Sequence, residues 1–258
     1  MSQTGESDEF IDNIVQSLRE KKPLYFAGAH VYDALGSRSL TAIIGPTASG
    51  KSTVSEAVIA LDPEFSLVNT TTTRKRRYEG DPAGSDPIGF RTADEGVTYA
   101  ELNDAVTNAN LVNYDIFGKN IYATYQSGFP SDYNIGPITS GSVPQLYESG
   151  FKRFTAAFMV TDGETYEKRL REERVHFPDF RDRVIEGLTS IDFAQLNLDT
   201  NWLQFVETLP EPDGVTKAAR RVIRMTRGDS VEMLITSRAQ RYLDEMAEAL
   251  RHVARDVH

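Results

Sequence analysis

Gly45-Pro46-Thr47-Ala48-Ser49-Gly50-Lys51-Ser52 is the stretch on which the reading of this chain turns. It fits G-x-x-x-x-G-K-[ST] without a mismatch. An apolar run at 40–44 precedes it and reads as a buried strand; residues 51–61 follow it and read as a helix. Each part of the motif has a task. Glycines let the backbone curl so that successive N–H groups point at phosphate oxygens, and the helix adds its positive end. Lys51 supplies a point charge for β- and γ-phosphates, and the Ser52 hydroxyl supplies a magnesium ligand. The expected triphosphate contacts are Gly45, Thr47, Ala48, Ser49, Gly50, Lys51, Ser52 and Thr53.

Outward from the loop, periodicity predicts helices over 8–20, 99–109, 165–174, 179–191 and 217–225. Strands are predicted at 65–68, 111–117, 120–124, 135–138 and 154–160. Residues 23–39 have no clear period, and 69–96, rich in Thr, Arg, Gly, Pro and Asp, read as loop with short strands. From Ser230 onward, Val231, Leu234, Ile235, Tyr242, Met246, Leu250 and Val253 keep a helical stripe, with Asp229 and Glu232 near capping-box spacing before it. Strands alternating with helices imply an α/β sheet, mostly parallel.

The bulk numbers set bounds. The 258 residues suit one medium domain with extensions, or two small domains. The apolar fraction of 40% allows a normal core. A net charge of −10 argues against nucleic-acid and membrane-surface partners. With no cysteine, thiol nucleophiles and cysteine metal sites are excluded. The polar N-terminus and the lack of a bilayer-length apolar run read as a cytoplasmic protein.

A second charged segment, Thr70-Thr71-Thr72-Thr73-Arg74-Lys75-Arg76-Arg77, sets hydroxyls beside four cations. Arginine forks bind phosphate in pairs of hydrogen bonds, so this is a candidate dianion trap. A solvated basic turn is the bland alternative. The segment resembles the guanylate kinase signature S-x-T-T-R-x-x-R-x-G-E. Thr70, Arg74, Arg77, Gly80, Asp81, Gly84, Asp86 and Phe90 match, with one insertion near Tyr78. Residues 111–124 resemble that family's F-I-E-x-x-x-x-x-G-N-Y-Y-G-[ST] without gaps. Lys168-Arg169-Leu170 and Arg174 resemble its lid stretch, and Arg183 fits the arginine on the next helix.

The resemblance covers about residues 40–226. It implies a three-layer P-loop kinase core, an acceptor-binding insertion at 70–124 and a short lid at 165–190, with residues 1–39 and 227–258 as extensions. It implies ATP and Mg2+ as co-substrate and metal. Arg74, Arg77 and Tyr122 would hold the acceptor's phosphate, with Thr70, Thr124, Asp81 and Asn113 around the rest of the acceptor. Arg169, Arg174 and Arg183 would join Lys51 around the transferring group. The bland alternative for these late arginines is ion pairing with Glu167, Glu172 and Glu173 on a surface helix.

Two positions depart from the family. Asn113 stands where guanylate kinases place a guanine-reading carboxylate. Ile138-Thr139-Ser140-Gly141 replaces a stretch that carries a second one. An amide offers an acceptor and a donor, but no charge. Each lost contact would cost about 1–3 kcal/mol of guanine preference. Asp115 and Asp132 are the nearby acids that could substitute. The expected acceptor is therefore a small phosphate-bearing molecule: a nucleoside monophosphate, or a phosphorylated sugar such as ribose bisphosphate.

Three rivals stand beside this reading: a catalytically weak binding module of guanylate kinase type, a nucleotide hydrolase, and a nucleic-acid-modifying transferase. The loop string also occurs in tRNA dimethylallyltransferases, but their following Asp-Ser and Gln-Val-Tyr segments are missing here. The two terminal stripes are expected to pack on the core, or to form a homodimer contact.

Overall fold

A computed structural model describes residues 6–75, 91–173, 180–231 and 234–256. In chain order the elements are α1 (Asp8–Lys21), α2 (Ala29–Leu35), β1 (Ser39–Ile44), α3 (Lys51–Leu61), β2 (Phe65–Leu67), β3 (Thr71–Thr72), α4 (Tyr99–Thr107), β4 (Leu111–Phe117), β5 (Asn120–Tyr125), β6 (Tyr133–Pro137), α5 (Val143–Glu148), β7 (Arg153–Val160), α6 (Gly163–Glu173), α7 (Phe180–Leu196), β8 (Leu203–Glu207), α8 (Gly214–Arg227) and α9 (Thr236–Asp256). The chain divides into two compact units. One takes residues 1–38, 66–134 and 144–152; the other takes 39–65, 135–143 and 153–258.

The second unit is built on a mostly parallel five-stranded sheet, order β2-β6-β1-β7-β8, flanked by helices. Leu40 to Ile44 lie parallel to Phe154 to Phe158 of β7, and Phe158 in turn pairs with Phe205 of β8. Every residue of β1 is buried, as a central parallel strand requires. Its one central hydroxyl, Thr41, meets Thr226 of α8 at 2.7 Å. The core joins Ile44, Phe158, Val160 and Phe205 to Tyr166 and Leu170 of α6 and to Leu243, Met246 and Leu250 of α9. Full burial of such a leucine is worth about 1.5–3 kcal/mol. Tyr242, Met246, Leu250 and Val253 of the C-terminal stripe are thus buried within their own unit, while Ile235 is exposed.

In the first unit an antiparallel sheet, order β3-β5-β4, lays its apolar face on α1 and α4. Ser7 caps α1 by accepting from the Phe10 N–H, and the Glu6 carboxylate accepts from Tyr99 and Ala100 at the start of α4. Tyr25 and Tyr114 meet edge-on at 5.1 Å, and each buries a hydroxyl that donates to a carbonyl, of Leu111 and Leu18 respectively. Burial pushes the Tyr25 phenol up to about 12 and raises that of Tyr114 as well.

Two expectations need correction. The last helix starts at Thr236, not near Ser230. Gly228 closes α8 in a left-handed conformation, and the Asp229 N–H bonds back to Arg224 O. Asp229 therefore serves the end of one helix rather than the start of the next; Glu232 lies outside the described residues. Residues 23–39, which show no period, contain α2, and strand β8 was not anticipated. Among the described residues, no helix is long and apolar enough to cross a membrane.

Candidate active site

Strand β1 delivers the chain to Gly45, whose φ of 137° and bare Cα are both needed. A Cβ there would lie 2.9 Å from Ser49 Oγ and 3.3 Å from Met159 O. Gly50, at φ 94°, turns the chain into α3. Between them Ala48 also takes a left-handed conformation, φ 59°, at a cost of about 1–2 kcal/mol for a residue with a side chain. The Ser49 N–H bonds to Pro46 O at 3.3 Å. Among the described residues, the N–H groups of Thr47, Ala48 and Gly50 make no backbone hydrogen bond. The Ser49 hydroxyl is fully buried and has no hydrogen-bond partner. Lys51 Nζ donates to Gly45 O at 2.6 Å and to Pro46 O at 2.7 Å, while Ser52 and Thr53 are exposed on the first turn of α3.

Two of the three late arginines reach this loop or its support. Arg183 of α7 donates to Thr47 Oγ at 3.4 Å. Arg169 of α6 donates to Thr208 at two points, its hydroxyl at 3.1 Å and its carbonyl at 2.8 Å. The buried Thr208 hydroxyl donates in turn to Ser49 O at 3.0 Å. Thr208 thus forms a strut between arginine and loop. The surface ion pair expected on α6 belongs to Arg171, which meets Glu167 at 2.8 Å. Asp162 caps α6 by accepting from Thr165 N–H at 2.8 Å. Burial opposes its charge, yet the Thr165 hydrogen bonds and Arg169 hold its carboxyl below the usual range. Arg174 lies outside the described residues.

The expected acceptor residues lie in the first unit. Asn113 pairs across the sheet with Thr124, Asp115 with Tyr122, and Tyr122 with Thr72. Residues directly opposite share a face, so these five side chains occupy one side of the sheet. Tyr114, Ile116, Ile121 and Ala123 occupy the apolar side. A bulge between Leu111 and Asn113 permits this. It inverts the alternation, so Leu111 stays in the core while Asn113 turns to the polar face. Asn113 is 4% exposed, and its Oδ1 has no hydrogen-bond partner.

Asp115 is not a spare acid, since Lys22 pairs with it. Thr70 and Arg74 flank β3: the Thr70 carbonyl accepts from Arg91 N–H, and Arg74 donates to Lys75 O at 3.1 Å. Arg77 and Asp81 lie outside the described residues.

No protein-family model matches the chain, and no curated protein sequence matches it. Among solved structures, the guanylate kinase from Anaplasma phagocytophilum is similar. Its TM-score is 0.50 at 13% identity, over 77% of this chain and 90% of that one. The chain therefore has the guanylate kinase-like P-loop kinase fold.

Proposed function

We propose that the chain transfers the γ-phosphoryl group of ATP to a small acceptor that already carries a phosphate, most simply a nucleoside monophosphate. The loop at 45–52 carries this reading. Its N–H groups at Thr47, Ala48 and Gly50 lack backbone acceptors, and the buried Ser49 hydroxyl is unpartnered. Such a cradle fits a polyphosphate, whose oxygens accept and do not donate.

Phosphoryl transfer asks mainly for positioning and for positive charge spread over the moving group. Lys51 donates to two loop carbonyls, which fixes its ammonium beside the cradle. Arg183 is tied to the loop through Thr47, and Arg169 through Thr208. The exposed Ser52 hydroxyl would ligate magnesium. Among the described residues no cage of three carboxylate or imidazole side chains gathers, so the ion would take its other oxygens from phosphate and water. Magnesium supplies charge neutralisation on the β- and γ-oxygens.

The polar face of the first unit's sheet would read the acceptor. Asn113 offers one unpartnered oxygen there where a carboxylate would offer two, and Asp115 is neutralised by Lys22. That supports an acceptor presenting a single donor rather than guanine's adjacent pair. It also keeps a phosphorylated sugar as a second reading. The test is a screen with ATP and magnesium against GMP, dGMP, AMP, CMP, UMP, dTMP and ribose phosphates, following ADP. One acceptor should raise ADP formation well above background, and Lys51→Ala should abolish it. Equal ADP formation with no acceptor would refute transfer and leave hydrolysis.

A further inference from the structure

Helix α8 concentrates positive charge that the reading above does not use. Its cations divide by what they meet. Arg227 is committed to Asp62 and Glu64, at 2.6 Å each, and lies over the Phe65 ring. Lys217, Arg220, Arg221 and Arg224 instead line a cavity of about 390 Å³ beside the edge strand β8. Leu209 and Val231 give it an apolar wall. That volume suits a small molecule.

The four cations stand three and four residues apart, a spacing at which like charges on a helix repel. The carboxylates nearby answer Lys217 rather than Arg220 or Arg224. Glu211 meets Lys217 at 3.0 Å, and Asp213 meets the same lysine at 3.1 Å. Glu207 is held by Arg238 and by the Tyr242 hydroxyl. Arg224 donates only to a carbonyl, that of Ser230, among the contacts of the described residues. Arg220 makes no ion pair among them. A chain of net charge −10 thus keeps a hollow lined by three arginines and a lysine. Such forks match phosphate geometry better than any other side chain does.

We propose that this hollow is a second anion site, separate from the P-loop, which takes a small organic phosphate bearing at least two negative charges. None of its lining residues belongs to the loop, so the two sites can be silenced independently. The test uses the full-length chain carrying Lys51→Ala and Ser52→Ala, titrated calorimetrically without magnesium, with sodium pyrophosphate and separately with ADP. One equivalent should bind, and adding Arg220→Gln and Arg224→Gln should weaken it at least tenfold. Both arginines are exposed, so an unchanged melting profile should accompany the loss. ADP binding tenfold tighter than pyrophosphate would support an organic phosphate, and pyrophosphate binding tenfold tighter than ADP would overturn it. The proposal fails if the loop-silenced chain takes up neither probe. It fails equally if the glutamine pair binds as well as its parent.

Discussion

Thr208→Val tests the strut between arginine and loop. The two side chains have nearly the same shape, so the substitution removes a hydroxyl and leaves packing in place. Two hydrogen bonds disappear: the donated one, shared between Ser49 O and Val160 O, and the one received from Arg169 Nη1. The first is neutral and buried, worth about 1 kcal/mol. The second involves a charge, which would raise its worth, but Arg169 is half-buried and water recovers part of it. Arg169 also keeps its 2.8 Å bond to the Thr208 carbonyl. The expected loss is about 2 kcal/mol of stability, read by equilibrium urea unfolding. ATP affinity, read by titration calorimetry, should weaken about tenfold, because the loop carbonyl at Ser49 loses its anchor. Thr208→Ser keeps the hydroxyl and loses a methyl group worth about 0.8 kcal/mol, so it should bind ATP as the parent does. If the valine and serine variants bind ATP alike, the strut does not exist in the sense described.

Three further outcomes follow from the geometry. Asn113→Glu restores a second acceptor oxygen and a charge on the polar face, and should increase ADP formation with GMP by about tenfold; no change would count against a base-reading role. Lys22→Met should cost about 2 kcal/mol by stranding a largely buried carboxylate, and adding Asp115→Asn should recover most of it in a double-mutant cycle of unfolding energies. The lowered pKa of Asp162 means that its capping contribution is present above the unfolded value of about 3.9 and is lost as pH falls through the folded value. Asp162→Ala should therefore cost about 1 kcal/mol at pH 7, and the gap between variant and parent should close in acid.

The phosphate loop was legible because its chemistry is local: eight consecutive residues carry both the turn geometry and the cation. The β4–β5 hairpin was legible for a similar reason, since Gly118 sits at φ 57° in a two-residue turn between strands of alternating character. Thr208 was not. It follows an unremarked strand, belongs to no motif, and acquires its role from partners 39 and 159 residues away. The sequence reading starts α9 too early because apolar spacing continues through 230–235, just after Gly228 and Asp229 close α8. Lys22 was overlooked as the partner of Asp115 for the same reason as Thr208: nothing within 93 residues of sequence marks the pair. Periodicity reports which side of an element is apolar. It does not report which distant polar group a fold will bring to the other side.

The extra residue at Val112 has a consequence for how this sequence can vary. Deleting Val112 itself would restore strict alternation and leave Leu111 and Asn113 on their present sides; deleting Ile116 instead, with the turn at Gly118 fixing the register, would exchange the two sides of the strand before it. Asn113 and Asp115 would be driven among hydrocarbon, and the Tyr114 ring would be expelled to the opposite surface. The amino acids proposed for recognition would still be encoded, in the original order, yet they would no longer be where a ligand could meet them. At this edge the chain's count matters as much as its composition, and point substitutions should be tolerated where a single-codon gap is not.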